Sequence, residues 1–481
     1  VKDAPLKNHR RHFMKNFFRI SALLVALLAI TKPATSLGQD FFRDLGTSRS
    51  SGGIGPVVPS EYSYQDSSPS GLRDLAVGQD LALPEEMDEA DRYNFAIGAI
   101  RFGLAAGVGL EWNDNIKLSE NDRLSDFILR PILNLEAQWQ MSDLNTLRFN
   151  IGVSYAKYFS HSEYDTNGVL ISPTSDIALN FFVGPIKFTV RDRFSYQEDA
   201  YDVPQLSDTA VYGRWENQAG IGMDWSINES FNISAGYDHY NLWTREEEFS
   251  AQDRVIDTVF IKPAWQVHPA FKFGVSASYS HINFDSSERS DGNGLLVGPF
   301  IEWQLSDVTN LYLEGGYQSL KFDGSSDYYN QQIDDLGLSD DNSDAVREIL
   351  RDNEDDSGNY YVKFEINNRP SDVFRHRLAF SRTTEIGFSS NFYEIYNVGY
   401  DAQWRPMQHV ELGPTVFFEH YTSSGVNPEE ADRFGASIGI RYHFSNSITI
   451  GLDYRYIWKD SNLPEADYYQ NLAFLSIYYK F

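Results

Sequence analysis

Apolar and polar residues alternate one by one through most of the chain beyond residue 100. In LRFNIGVSYAKYF, Leu147, Phe149, Ile151, Val153 and Tyr155 alternate with Arg148, Asn150, Gly152 and Ser154. FKFGVSASY repeats the pattern with Phe271, Phe273, Val275, Ala277 and Tyr279, and ITIGLDYRYIW with Ile448, Ile450, Leu452, Tyr454 and Tyr456. A period of two predicts strands with one apolar face, and most segments exceed the five or six residues typical of soluble strands. The last stretch, YYQNLAFLSIYYKF, places Tyr479, Ile477, Leu475 and Ala473 on one face and Lys480, Tyr478, Ser476 and Phe474 on the other. A strand this long and greasy needs a partner along both edges. A barrel whose first strand closes onto its last supplies one.

The pattern divides residues 100–481 into 18 segments, with 16 as the alternative. Two of them are placed at residues 144–159 and 208–226. Connections alternate between short turns such as MSDL, INES, VHPA and LSDV and longer excursions such as SHSEYDTNGVLISPT. The expected fold is therefore all-β: a transmembrane antiparallel β-barrel with short turns and both barrel termini on the periplasmic side.

Composition fits this reading. Tyr (29), Trp (9) and Gly (34) are frequent, which suits barrel walls with aromatic interfaces better than a soluble core. The mean hydropathy of −0.42 looks soluble, but a barrel averages a polar lumen against an apolar wall. With Cys 0, neither a disulfide framework nor a lipidated cysteine is available. The basic KNHRRHFMKNFFR, the apolar ISALLVALLAI and the small-residue stretch after it predict a signal peptide over 1–36. The alternative, a membrane anchor, needs a longer apolar run. Residues 37–92 are rich in Gly, Ser and Pro and are expected to be an irregular periplasmic lead-in, or else a small plug; 93–481 is the expected outer-membrane barrel.

NFAIGAIRFGLAAGVGLEWNDNIKLSE, residues 94–120, resembles the opening strand of a family of outer-membrane β-barrel porins of Gram-negative bacteria. In that family a Gly-rich first strand runs into an aromatic-Asn/Asp-Asp-Asn element, matched here by Trp112, Asn113, Asp114 and Asn115. The resemblance implies an outer-membrane barrel, and some similar proteins are associated with exopolysaccharide export. The carboxyl-terminal Phe481, with Tyr479, resembles the signal read by the barrel assembly machinery. Read from the residues alone, Asn113 to Asn115 start the first external loop, since short Asn and Asp side chains turn the chain. Calcium binding is the alternative, although no EF-type spacing accompanies it.

Alternation assigns the lumen. Arg130, Arg148, Lys187, Arg191, Arg193, Arg214, Lys272, Lys363, Arg375, Arg377, Arg433, Arg441, Arg455 and Lys480 fall on the inward face. So do Glu111, Glu136, Glu216, Glu314, Glu365, Asp401, Glu411, Glu419 and Asp453. Two readings stand: charge pairs that stiffen the wall, or a net basic pore lining that selects anionic or polyhydroxylated solutes. Inward tyrosines at 212, 312, 361 and 478 could then stack on sugar rings. An acidic tract between Asp323 and Asn359 opposes anions at the mouth, and Asp334, Asp335, Asp340 and Asp341 are candidates for divalent cations there. Ten scattered His residues, no HExxH and no nucleophile elbow give no support to an enzyme, and no cofactor is expected. A net charge of −28 without a basic tract disfavours nucleic acid. The function expected is a channel for hydrophilic, anionic or polysaccharide substrates, with a surface scaffold or adhesin of plugged lumen as the alternative. Expected partners are outer-membrane lipid, the barrel assembly machinery and periplasmic export components.

Overall fold

The computed structural model describes residues 93–200, 203–322, 357–425 and 427–481. The expected signal peptide, the lead-in and the aspartates at 334, 335, 340 and 341 lie outside them. The alternating segments form one antiparallel sheet that closes on itself. Its strands are β1 (Phe95–Ile97), β2 (Ile100–Asn113), β3 (Asp126–Gln140), β4 (Thr146–Ser154), β5 (Lys157–Tyr158), β6 (Leu170–Ile171), β7 (Asp176–Val183) and β8 (Ile186–Gln197). Next come β9 (Arg214–Asn228), β10 (Phe231–Thr244), β11 (Arg254–His268), β12 (Phe271–Phe284), β13 (Gly292–Ser306) and β14 (Thr309–Phe322). The last seven are β15 (Ser357–Ser371), β16 (Phe374–Ile386), β17 (Phe392–Met407), β18 (Val410–Ser423), β19 (Glu430–His443), β20 (Ile448–Ser461) and β21 (Tyr468–Lys480).

Leaving out the short β1, β5 and β6, 18 strands make the wall. β2 closes it against β21, in register from Ala105↔Lys480 to Asn113↔Leu472. Below that seam the edge of β2 would be bare, and β1 folds back over it through Gly98 at φ 63. The expected segments match these strands to within three residues at nearly every end. The exceptions have causes. Residues 144–159 break after Ser154, and β5 returns to pair with β3. Residues 208–213 belong to a loop, and β9 starts at Arg214.

All short turns and both chain ends of the barrel lie at one end, and the long loops at the other. The nine tryptophans all occupy outward positions, in two belts. Trp139, Trp225, Trp265, Trp303 and Trp404 ring the short-turn end, and Trp112, Trp215, Trp243 and Trp458 the long-loop end. Trp215 and Trp225 share β9. Ten residues make about 34 Å of strand, or roughly 26 Å of height at a tilt near 40°, the thickness of an outer-membrane apolar band. The wall is built to span a membrane.

Inward aromatic rings lie flat against that wall where the facing residue is glycine. Phe474 covers Gly109 and Phe417 covers Gly435, so closely that a Cβ on either glycine would overlap the ring. These glycines are in ordinary strand conformation, and what they provide is space.

Candidate functional site

The register places every basic and acidic strand position assigned above on the inward face, and the lumen divides them into two groups. Toward the short turns and around mid-height, Arg148, Lys187, Arg191, Arg193, Lys272, Lys363, Arg375, Arg377 and Arg441 remain partly accessible, as do Glu136, Asp401, Asp453 and the unassigned Glu302. Toward the long loops, Arg130, Arg214, Arg433 and Arg455 are buried with Glu111 and Glu419, and Glu314 is buried at mid-height beside Lys363. The lower half is an accessible vestibule except along β11 to β15, where Lys262, Phe300, Glu314 and Glu365 are buried. The upper half is packed.

Loops cause the packing. Residues 114–125, 198–200, 203–213, 245–253 and 387–391 fold inward and meet in an apolar hub of Leu118, Ala200, Leu206 and Tyr212 with Val203, Phe249 and Phe388. The rings of Phe249 and Phe388 stand edge-on to Tyr212 at 5.1 and 5.3 Å. The hub rests on Phe417, Ile457 and Tyr468 of β18, β20 and β21, across the barrel from the strands that carry the 198–213 loop. There the Tyr421 hydroxyl donates to the Pro204 carbonyl at 3.0 Å. Phe388 is held by its backbone: its N–H donates to Gln205 Oε1 at 2.5 Å, and its carbonyl accepts from Gln252 at 2.6 Å and Arg289 at 2.8 Å. Lys117 reaches Asp208 at 3.2 Å, joining the first loop to the second. Further apolar inward residues, among them Leu242, Ile282, Leu320 and Phe322, fill the upper lumen between β10 and β14.

Most inward charges are paired. Arg130 meets Glu111 at 2.6 Å, Arg191 meets Asp238 at 2.7 Å, Arg377 meets Asp401 at 2.7 Å and Arg441 meets Asp453 at 2.7 Å. Arg433 and Glu419, both fully buried, are 2.8 Å apart. Arg214 pairs with Glu216 at 2.9 Å and Lys272 with Glu302 at 2.9 Å. In a low-dielectric wall an unpaired charge would be costly, and cross-strand pairing removes most of that cost. Among the described residues, Lys187, Lys363 and Arg375 have no carboxylate within ion-pair distance; Lys187 and Arg375 face the vestibule and Lys363 lies at mid-height. Inward Lys262 and Lys459 went unassigned in the sequence, although each is in phase with its strand; they pair with Glu302 at 3.7 Å and Glu429 at 2.9 Å.

The inward tyrosines do not offer free ring faces for sugars. Tyr212 is inside the hub, Tyr361 is fully buried with its hydroxyl on Glu314 at 2.8 Å, and Tyr478 lies buried against Gly107. Tyr312 also donates to Glu314.

Trp112, Asn113, Asp114 and Asn115 have a mechanical place in the structure. Trp112 joins the upper tryptophan belt, and Asn113 Oδ1 accepts the Asn115 N–H at 3.0 Å to turn the chain. Asn115 donates to the Ser119 and Tyr469 carbonyls at 2.8 and 2.9 Å. Asp114 accepts from the Asn471 backbone at 2.7 Å, from its side chain at 2.8 Å and from Arg123 at 2.6 Å. Arg123 in turn stacks 3.6 Å over Tyr469. Tyr469 and Asn471 belong to the last strand, so this element clasps the top of the barrel seam. Its oxygens are occupied by protein donors, which leaves little for a cation. At the other end of the seam the Phe481 N–H donates to the Leu104 carbonyl at 3.1 Å, and the exposed rings of Phe481 and Tyr479 meet edge-on.

No family model and no curated protein matches this sequence. Among solved structures, the outer-membrane protein OpdK of Pseudomonas aeruginosa, crystallised with vanillate, aligns at 9% identity and a TM-score of 0.41 over 79% of this chain and 99% of its own. OpdH (OccK5) of the same organism aligns at 8% and 0.43 over 79% and 98%. OccAB3 of Acinetobacter baumannii aligns at 10% and 0.44 over 80% and 100%. Likeness at this level says nothing of substrate. The register, the two tryptophan belts and the clasped seam define an 18-stranded, closed, transmembrane β-barrel of the outer-membrane type.

Proposed function

We propose that this barrel is a loop-gated outer-membrane channel that opens from its short-turn end and passes anionic hydrophilic solutes, including polysaccharide. The observation that carries the reading is the asymmetry of the lumen: an accessible vestibule with unpaired Lys187 and Arg375, and Lys363 at mid-height, below a seal of inward-folded loops. A strand count of 18 leaves room for an aqueous channel when loops do not fill it. Unpaired cations in a vestibule with low-dielectric walls raise the local anion concentration. The paired arginines contribute less, because each carries its own countercharge. A seal of loops held by side-chain contacts can be released without opening the wall, which suits regulated passage.

Residues 1–36 then act as the signal peptide and 37–92 as the lead-in on the periplasmic side, where the short turns and both barrel ends lie. Outer-membrane lipid surrounds the wall, the assembly machinery reads Phe481, and a periplasmic export component is the natural trigger for the loops. The packed upper lumen also favours a second reading, a surface scaffold with a permanent plug.

Planar-bilayer recording separates the two. The channel reading expects a mostly closed state with anion-preferring bursts, and a lower anion preference when Lys187, Lys363 and Arg375 are replaced by Gln. Silence of the native protein, and continued silence when 387–391 is replaced by Gly-Ser, would leave the scaffold reading standing.

A further inference from the structure

We infer that the outer face of β8 to β11 is an interface with a second copy of this chain. On most of the wall, the outward residues below the upper tryptophan belt are apolar, as with Leu110 and Val108 below Trp112. On β8 to β11 they are not. Asn217 and Asn241 pair directly below Trp215 and Trp243. The next outward row runs Asp192, Ala219, His239 and Asp257 across four strands and continues through His281 of β12 and Asn293 of β13. Ala219 is four residues below Trp215, so the row lies roughly 10 Å inside the apolar band at β9 and climbs toward the long-loop end by Asp257.

Beside the row is a concavity of about 520 Å³ lined by Leu147, Ile177, Leu179, Val190 and Ile221. The strands flanking it, β4 and β7, are the shortest of the wall at 9 and 8 residues. Asp192, Ala219 and His239 of the row also line this dent, so polar groups and an unfilled apolar hollow share one place on the wall.

Hydrocarbon cannot hydrogen-bond to a carboxylate, so lipid is a poor cover for this face. Another protein surface in the same plane is a good one. Intramolecular bonds satisfy only part of the row: Asp192 accepts from Asn217 at 2.5 Å, and Asp257 accepts from Tyr237 at 2.5 Å and approaches His239 Nδ1 at 2.7 Å. The patch holds acceptors (Asp192, Asp257) and donors (Asn217, Asn241, His239) side by side. Under a two-fold rotation the acceptors of one copy can face the donors of another, which is what an isologous dimer requires of its patch.

The chain has no cysteine, so single-cysteine cross-linking tests this cleanly. Ala219→Cys is placed in the row, and Ile438→Cys on the far wall is the control. Treated in native membranes with a short bismaleimide, Ala219→Cys is expected to give a band at twice the monomer mass and Ile438→Cys a monomer. Asp192→Leu with His239→Leu, in the Ala219→Cys background, should abolish that band while heat-modifiable migration shows an intact barrel. A monomer from Ala219→Cys, with mass spectrometry confirming that the thiol reacted, overturns the proposal. So does a groove filled only by co-purifying lipid, or a dimer that survives the double substitution.

Discussion

Replacing Phe388 by Ala tests the seal at its centre. Its ring meets Tyr212 at 5.3 Å and Phe249 at 5.8 Å, and it packs against the hub without being fully enclosed. Truncating a fully buried Phe costs about 3–5 kcal/mol, and partial exposure reduces that here to about 2 kcal/mol. The backbone bonds of Phe388 to Gln205, Gln252 and Arg289 do not depend on the ring, so the loop stays tethered. The closed state should lose about 2 kcal/mol relative to a released one, a shift of about 30-fold. A closed state favoured about a hundredfold would then be favoured about threefold, which single-channel open probability resolves easily. Tyr212→Ala, which removes the partner of both rings, should act in the same direction and more strongly. Unchanged open probability in both variants, with heat-modifiable migration intact, would refute the claim that this hub holds the lumen shut.

Four further outcomes are expected. Burial, chiefly, raises the Glu198 carboxyl above its ordinary value in the packed loop, where it accepts from Tyr196 at 2.7 Å and Arg245 at 2.8 Å. A carboxyl with a higher pKa when packed holds its proton more tightly there, so acid stabilises the seal and the gain is lost as pH rises through the raised value. Open probability should fall as pH is lowered through that raised value, and Glu198→Gln should flatten the dependence. Arg433→Ala or Glu419→Ala alone strands a buried charge and should cost about 3–5 kcal/mol, whereas Arg433→Met with Glu419→Leu should cost much less; the temperature of the heat-modifiable transition reports both. Gly109→Val pushes the Phe474 ring off the wall and should destabilise the barrel by about 1–3 kcal/mol on the same scale. Deleting Phe481 removes its bond to Leu104 and should lower the outer-membrane level of the protein, measured by fractionation and immunoblotting.

Alternation is a local property, and it carried far. Whether Arg377 or Leu378 faces inward depends only on phase along β16, so strand bounds, wall faces and lining charges were legible without any fold. The even strand count and the common side of both ends followed from the rhythm of turns. Pairing was not legible, because Arg191 meets Asp238 across two strand boundaries and 47 positions of sequence. Nor was the seal: Leu118, Leu206, Phe249 and Phe388 sit in loops without periodicity, and only the closed circle brings those loops together over the lumen. Trp112 to Asn115 reads in sequence as a turn, and it does turn the chain. Its second task, clasping Tyr469 and Asn471, exists only because the first strand lies beside the last. Phase along a strand fixes which way each residue faces; closure of the sheet fixes what it meets there.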